Sequence, residues 1–290
     1  MANTGILIFA HNCNSSKRDY LYSASICAKT IKQHNPDISI SLFTRNKLFV
    51  PSGQQELYDN IIEFPFDDAG HLDDNTLKNL YQLYYATPYE NTLVLDADTI
   101  VLAKLDGLFE AARRHDMLFP HTVKDFRNVC HSVQQKIQEK NSLPQFETSI
   151  WYFNKDFNKK KEYRYEGRER IELDSSEEDT EPFFNLLEVY LRNYEDSYNQ
   201  FEHERPAEFD KDFLFSLTID NLDLADEIVD TNILTYTDLS LTNGELWHED
   251  LNYWIKEGNL KIENYNVTGI IHYGNKAFEY DELDKFTRSN

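Results

Sequence analysis

Asn91-Thr-Leu-Val-Leu-Asp-Ala-Asp-Thr-Ile-Val-Leu102 is an apolar run interrupted once, by two acids one residue apart. Its leading half, Thr92–Leu95, has the length and composition of a strand buried on both faces. Two carboxylates inside such a run need a reason, because an unpaired buried charge is costly. In an extended segment Asp96 and Asp98 point to one side, since strand side chains alternate with period two. Two hard oxygen ligands then converge, which suits Mg2+ or Mn2+, ions commonly shared with substrate phosphates. A divalent cation there also removes the repulsion between the acids. Turns and caps use paired aspartates too; the apolar flanks on both sides set this pair apart.

The neighbouring chain alternates strand and helix. Gly5–Ala10 (GILIFA) reads as a buried strand running into a polar loop, HNCNSSKRD. Tyr20–His34 places Leu21, Ala24, Ala28 and Ile31 at helical spacing, and Asn35-Pro36 stops it. Ile38–Thr44 alternates as a strand does. Strand, helix and strand within about forty residues make a βαβ unit with a parallel pair. Asn60–Phe64 is a third strand. His71–Ala86 is expected to be helical, with Leu72, Leu77, Leu80, Leu83 and Tyr84 on one face and Thr87-Pro88 at its end. Asp116–Pro120 and Ser149–Asn154 follow as strands, with a helical segment over Val129–Asn141 between them. Helices are expected over Glu181–Tyr194 and Phe209–Ile219, and a short strand over Thr268–Tyr273. The pattern predicts an α/β fold with a mostly parallel central sheet flanked by helices. One domain covers 1–290, interrupted by a highly charged and flexible insertion over 155–180, basic first and then acidic. In such sheets ligands bind beyond the carboxyl ends of the strands. The loops after Ala10, after Leu95 and after Ile271 are therefore where chemistry is expected.

Composition narrows the partners. Fifty-one acidic residues against 29 basic ones give a formal charge of −22 over 290 residues. That charge opposes binding to nucleic acid, whose affinity comes mainly from Lys and Arg contacts to phosphate. A phosphate-bearing ligand would need local positive charge, such as a metal ion. Aromatic residues make up 14% of the chain, so a ring-rich core is expected. No apolar run approaches the roughly 20 residues that span a bilayer, and no basic n-region precedes the first apolar stretch. Cys13, Cys27 and Cys130 are an odd number at no metal-like spacing, which fits free thiols in a reducing, cytoplasmic compartment.

A second group lies near the end, in IIHYGNK. His272 closes a strand, and its imidazole is able to complete an oxygen-rich Mn2+ site. Gly274 lets the backbone approach a ligand closely, and Lys276 would place an ammonium on a phosphate. His272 taken alone also fits an ordinary, partly buried histidine. A metal, a phosphate contact and an α/β sheet together suggest a nucleoside-diphosphate ligand.

Four segments resemble the GT-A glycosyltransferases, and most of all the glycogenin-like glycosyltransferase family 8. Ile8-Phe-Ala-His-Asn12 resembles the first strand and nucleotide-binding loop. Leu93–Val101 resembles the Asp-x-Asp strand and is the most specific of the four. Phe146–Phe153 (FETSIWYF) resembles the segment usually written Phe-Asn-Ser/Thr-Gly plus a hydrophobic residue. Phe209–Leu214 (FDKDFL) and His272–Lys276 resemble the Asp-Gln-Asp segment and the closing His-Gly-Lys segment. The resemblance implies a nucleotide-sugar donor of the UDP-sugar type and Mn2+ (or Mg2+) held by Asp96, Asp98 and His272. It implies donor contacts from Ala10, His11, Asn12, Lys78, Asp96, Ala97, Gly274 and Lys276. Asp210 and Asp212 would bind sugar hydroxyls or the acceptor, and an inverting reaction would take Asp212 or Glu147 as its base. Acids at 210 and 212 also fit a helix N-terminus. Three positions depart from the family pattern. Glu147 and Ser149 stand for its Asn and Gly, Lys211 stands for its Gln, and the last motif is shortened.

The function expected is metal-dependent transfer of a sugar to an acceptor hydroxyl, of a carbohydrate in the first instance. Two alternatives share the fold. One is glycosylation of modified DNA bases, favoured by the basic run Asn158–Arg170 and opposed by the net charge. The other is a nucleotide-sugar-binding protein without turnover. A nucleotidyltransferase usually carries a glycine-rich basic loop after its first strand, and IFAHNCNSSKR has no glycine there.

Overall fold

The computed structural model describes residues 4–12, 18–132, 143–144, 146–155, 182–199, 206, 208–225, 233–239, 253–256, 259–274 and 278–287. Most of the charged insertion and the basic run within it lie outside these residues.

Among the described residues the central sheet has six strands. β1 (Thr4–Phe9) runs parallel to β2 (Ser39–Thr44) on one side and to β4 (Asn91–Asp96) on the other. β3 (Asn60–Glu63) continues the sheet parallel to β2. Beyond β4, β9 (Ile150–Asn154) is antiparallel, and β6 (Met117–Leu118) is antiparallel to β9. The order is β3-β2-β1-β4-β9-β6. The expected βαβ unit is present: helix Tyr20–His34 connects β1 to β2 and is capped by Asp19, whose side chain accepts from the Tyr22 N–H.

Alternation divides the core in two. Ile6, Ile8, Ile40, Leu42, Leu93 and Leu95 pack against Leu21, Ala24, Ala28 and Ile31 of that helix. Leu7, Phe9, Phe43, Val94, Trp151 and Phe153 face the other way, onto Phe183, Phe184, Leu187 and Phe215. The second layer is aromatic, as composition predicted. Trp151 stacks on Phe119 at 5.3 Å between centroids and on Phe153 at 5.3 Å, with Phe215 edge-on at 5.4 Å. Because both faces are covered, β4 is apolar throughout its middle, as its sequence reads. At the start of β1, Gly5 passes so close to Tyr89 that a Cβ there would lie 2.4 Å from the ring.

A second sheet runs β5 (Thr99–Leu102), β14 (Gly269–His272), β10 (Thr237–Asp238), β7 (Thr122–Lys124), β8 (Cys130–Ser132). β5 is antiparallel to β14, and β14 is parallel to β10. A third, antiparallel sheet consists of β11 (Tyr253–Lys256), β12 (Asn259–Ile262) and β13 (Tyr265–Val267). Leu260, Ile262 and Val267 share a core with Phe278, Leu283 and Phe286. No helix among the described residues is long and apolar enough to cross a membrane.

Two expected helices are corrected. Over His71–Ala86 the chain makes turns, then a 3-10 helix (Thr76–Gln82) and a single α turn (Leu83–Ala86). The side chains of Asn79 and Gln82 accept from the N–H groups of Ala69 and Phe66, which ties the preceding loop down and delays the helix. The expected helix over Val129–Asn141 begins instead as strand β8, antiparallel to β7; residues 133–142 lie outside the described set. The buried Asp125 carboxylate accepts from the N–H groups of Arg127 and Val129, and this closes the chain into a hairpin. The helix expected over Glu181–Tyr194 spans Pro182–Arg192, and the one over Phe209–Ile219 spans Lys211–Asn221.

Candidate donor and metal site

β4 ends at Asp96, and Ala97 and Asp98 form a turn. From there the chain does not fold back onto β4. β5 joins the second sheet, where Thr99 pairs with His272 and the Tyr273 N–H donates to the Asp98 carbonyl at 3.0 Å. Strand alternation is therefore not what aligns the two acids, as the sequence suggested. The turn and the register with β14 align them, and the same register brings in the histidine. Asp96, Asp98 and His272 each present one ligand atom, and these atoms lie within 4.8 Å of one another.

Charge in this group is arranged unevenly. His272 Nε2 lies 3.4 Å from Asp98 Oδ1, and its Nδ1 lies 3.6 Å from the buried Asp238 carboxylate on β10. Burial opposes a charge on His272, but the two flanking acids outweigh it and raise its pKa well above the usual value. Burial likewise works against ionised Asp98, and His272 outweighs it, so that pKa is lowered. Asp96 is raised, chiefly by burial, despite an ion pair with Lys211 Nζ at 2.9 Å. The donor set fits a hard divalent cation: two carboxylates and an imidazole whose second nitrogen faces a carboxylate, as is usual for a ligating histidine.

The residues expected to form the nucleotide loop share this edge. Phe9 pairs with Asp96 across β1 and β4, so Ala10, His11 and Asn12 follow directly beside the aspartates. The Ala10 N–H donates to the Phe43 carbonyl at 3.1 Å. His11 is buried, which pushes its pKa down to about 4 with help from Arg45, so the ring is neutral near pH 7. Its Nδ1 has no hydrogen-bond partner among the described residues. Asn12 serves the helix start, where its Nδ2 donates to Asp19 at 2.8 Å and its Oδ1 accepts from the Tyr20 N–H at 2.7 Å.

The segment before β9 adds a second group of acids. The Asp96 N–H donates to the Ser149 carbonyl at 2.8 Å. Ser149 Oγ donates to Glu147 Oε1 at 2.8 Å, so the two residues that depart from the family pattern bond to each other. The Thr148 N–H donates to Asp212 Oδ1 at 3.2 Å, and its hydroxyl donates to the same oxygen. Asp210 is the N-cap of helix Lys211–Asn221, accepting from the N–H groups of Asp212 and Phe213 at 2.9 and 3.1 Å. Its carboxylate thus has the capping role that its sequence position allowed. Beside the cap lies a cavity of some 480 Å³ lined by Leu77, Pro206, Glu208, Phe209, Asp210 and Lys211. Lys78 pairs with Asp73 and lies 4.9 Å over the Tyr194 ring, which packs edge-on against Phe209 of the cavity lining; neither partner is Asp96 or Asp98. Gly274 follows β14 with φ +59°, a left-handed conformation, and its carbonyl accepts from Arg18 at 2.5 Å. Lys276 lies outside the described residues.

The Asp212 carboxyl is pushed up to about 7, first by burial and then by Glu147, against the pull of Lys211. An acid with a raised folded-state pKa takes up a proton on folding between its ordinary value of 3.8 and about 7. Stability therefore falls as pH rises through that window and levels off above it. Asp212→Asn removes this titration. Between pH 5 and pH 8 the chelated variant is expected to lose less stability than the unsubstituted chain, by about 1 kcal/mol or more. Urea midpoints at the two pH values measure this, and an identical pH slope would remove Asp212 as the titrating group.

Asp238 and Arg18 carried no sequence signal. Asp238 lies on a two-residue strand, and Arg18 meets Gly274 across the whole chain. Lys211 was visible only as a departure from a pattern.

No family model and no curated protein sequence matches the chain. Solved structures do. The galactosyltransferase LgtC, crystallised with donor and acceptor sugar analogues, aligns over 97% of this chain and 95% of its own, with a TM-score of 0.50 and 14% identity. The fold is that of a GT-A glycosyltransferase. Mouse xyloside xylosyltransferase 1 in its apo form aligns over 95% of this chain and 99% of its own, with a TM-score of 0.48 and 10% identity. In GT-A terms, Asp96, Asp98 and His272 lie at the carboxyl edge of the parallel strands, where open α/β sheets bind their ligands.

Proposed function

We propose that the protein is a metal-dependent glycosyltransferase. It would move a sugar from a nucleoside-diphosphate sugar, a UDP-sugar, to a hydroxyl of a carbohydrate acceptor. The observation that carries this reading is the convergence of Asp96, Asp98 and His272 beside the His11 loop, at the edge of a GT-A sheet. In this reading those three residues hold Mn2+ or Mg2+, and the bound ion supplies positive charge for the departing nucleoside diphosphate. Ala10, His11 and Asn12 receive the base and ribose, with the neutral His11 offering a ring nitrogen. Ala97 and Gly274 line the donor, and Lys276 binds the diphosphate. Asp212 and Glu147 face the acceptor. Asp212 is locked by Thr148 and is part-ionised near neutral pH, which suits a base taking the proton from an acceptor hydroxyl. Asp210 sets the helix start that places Asp212. Lys78 contributes from the cavity side. Holding donor and acceptor in register supplies much of the rate, worth about 7–11 kcal/mol in favourable cases.

The test is sugar release or transfer from a panel of nucleotide sugars with Mn2+ present. A UDP-sugar is expected to turn over, EDTA to abolish the reaction, and added Mn2+ to restore it. Turnover indifferent to EDTA would remove the metal dependence. The absence of turnover with every donor, alongside measurable UDP binding, would leave a nucleotide-binding protein.

A further inference from the structure

A pair of metal-binding aspartates does not need a lysine, yet one is built against this pair. Lys211 Nζ lies 2.9 Å from Asp96 Oδ2, with its side chain only 15% exposed. It is the first residue of helix Lys211–Asn221, between the Asp210 cap and the Asp212 N–H that the cap accepts from. The Asp210 N–H donates in turn to the Tyr198 hydroxyl at 2.8 Å. The Asp96, Asp212 and Glu147 carboxylates around the ammonium favour its charged form against burial. The carboxylates around it belong to two groups, Asp96 on the ion-ligand side and Asp212 with Glu147 on the acceptor side.

A fixed cation on a ligand carboxylate has two opposing effects. Without an ion, it neutralises Asp96 and relieves the repulsion between Asp96 and Asp98. With an ion, it is a like charge at close range and weakens the hold on that ion. We propose that Lys211 is a tethered competitor for Asp96, holding the carboxylate when no ion is bound and lowering the affinity of the site for a divalent cation. The proposal rests on reading Asp96, Asp98 and His272 as ion ligands. Lys211 acts through Asp96 and is thus a positioning residue. Its effect also favours an ion that arrives with a diphosphate, since that anion offsets the lysine charge.

The experiment measures MnCl2 binding to the full chain by calorimetry and by the loss of the free Mn2+ paramagnetic resonance signal. Thermal midpoints of the chelated protein are recorded in parallel. Lys211→Gln is expected to bind Mn2+ at least about tenfold more tightly than the unsubstituted chain, while its chelated form melts several degrees lower. A merely structural lysine would lower the midpoint without tightening the ion. Lys211→Met is a second neutral variant if the glutamine variant folds poorly, and Lys211→Arg keeps the charge and is expected to keep the weaker affinity. Mn2+ affinity unchanged or weaker in both neutral variants overturns the proposal while the ion site stands. Failure of the unsubstituted chain and of both neutral variants to bind Mn2+ overturns the ion site, and the proposal with it.

Discussion

Asp98→Ala is expected to lower Mn2+ affinity and nucleotide-sugar turnover by at least about a hundredfold each. Loss of an outer-sphere partner alone commonly costs 10–100-fold in metal affinity, and Asp98 is proposed as a ligand. Its removal leaves Asp96, already paired with Lys211, and His272, whose Nε2 then loses its neighbouring acid. The turn itself survives, because the Asp98 contact to Tyr273 is made by the backbone carbonyl. Circular dichroism should accordingly be unchanged while calorimetric Mn2+ binding collapses. Unchanged affinity and turnover in Asp98→Ala would remove it from the site.

Trp151→Ala is expected to destabilise the protein by about 3–5 kcal/mol, the usual cost of truncating a large buried aromatic residue. Trp151 is 1% exposed on β9, opposite Val94 of β4, and packs against Phe119, Phe153 and Phe215. The cavity left behind would lie among rings from β9, from the residue that follows β6 and from a helix, which cannot all collapse into it. Urea unfolding followed by circular dichroism reads the loss. A shift under 1 kcal/mol would show that the aromatic layer repacks freely. The same strand leads back to Ser149, whose carbonyl holds the Asp96 N–H, so the variant is also expected to bind Mn2+ more weakly.

Much of the parallel half of the sheet was legible in advance. The runs around Ile8 and Leu93 are apolar because both faces are covered, Ile38–Thr44 alternates as a strand does, and Asn35-Pro36 marks a true helix end. The expectation fails where hydrogen bonds from side chains to nearby backbone, which periodicity does not count, decide local structure. Asn79 and Gln82 hold a loop that periodicity reads as helix, and Asp125 closes a hairpin where a helix is expected from the sequence. The antiparallel entry of β9 has no local signal, since a strand buried on both faces reads the same in either direction.

For the site, the sequence by itself determined which chemical groups exist and where the first of them lies. Two acids at the end of a doubly buried strand must reach the sheet edge or be neutralised, because an unpaired charge inside is too costly. The tertiary structure alone decided their partners. His272 meets Asp98 because β5 leaves β4 for a second sheet, and Asp238 stands behind that histidine because β10 pairs with β14. Lys211 meets Asp96 because a capped helix begins beside that strand. Each of these contacts joins residues more than thirty positions apart, and charge and hydrogen bonding act through space, where sequence spacing carries no distance.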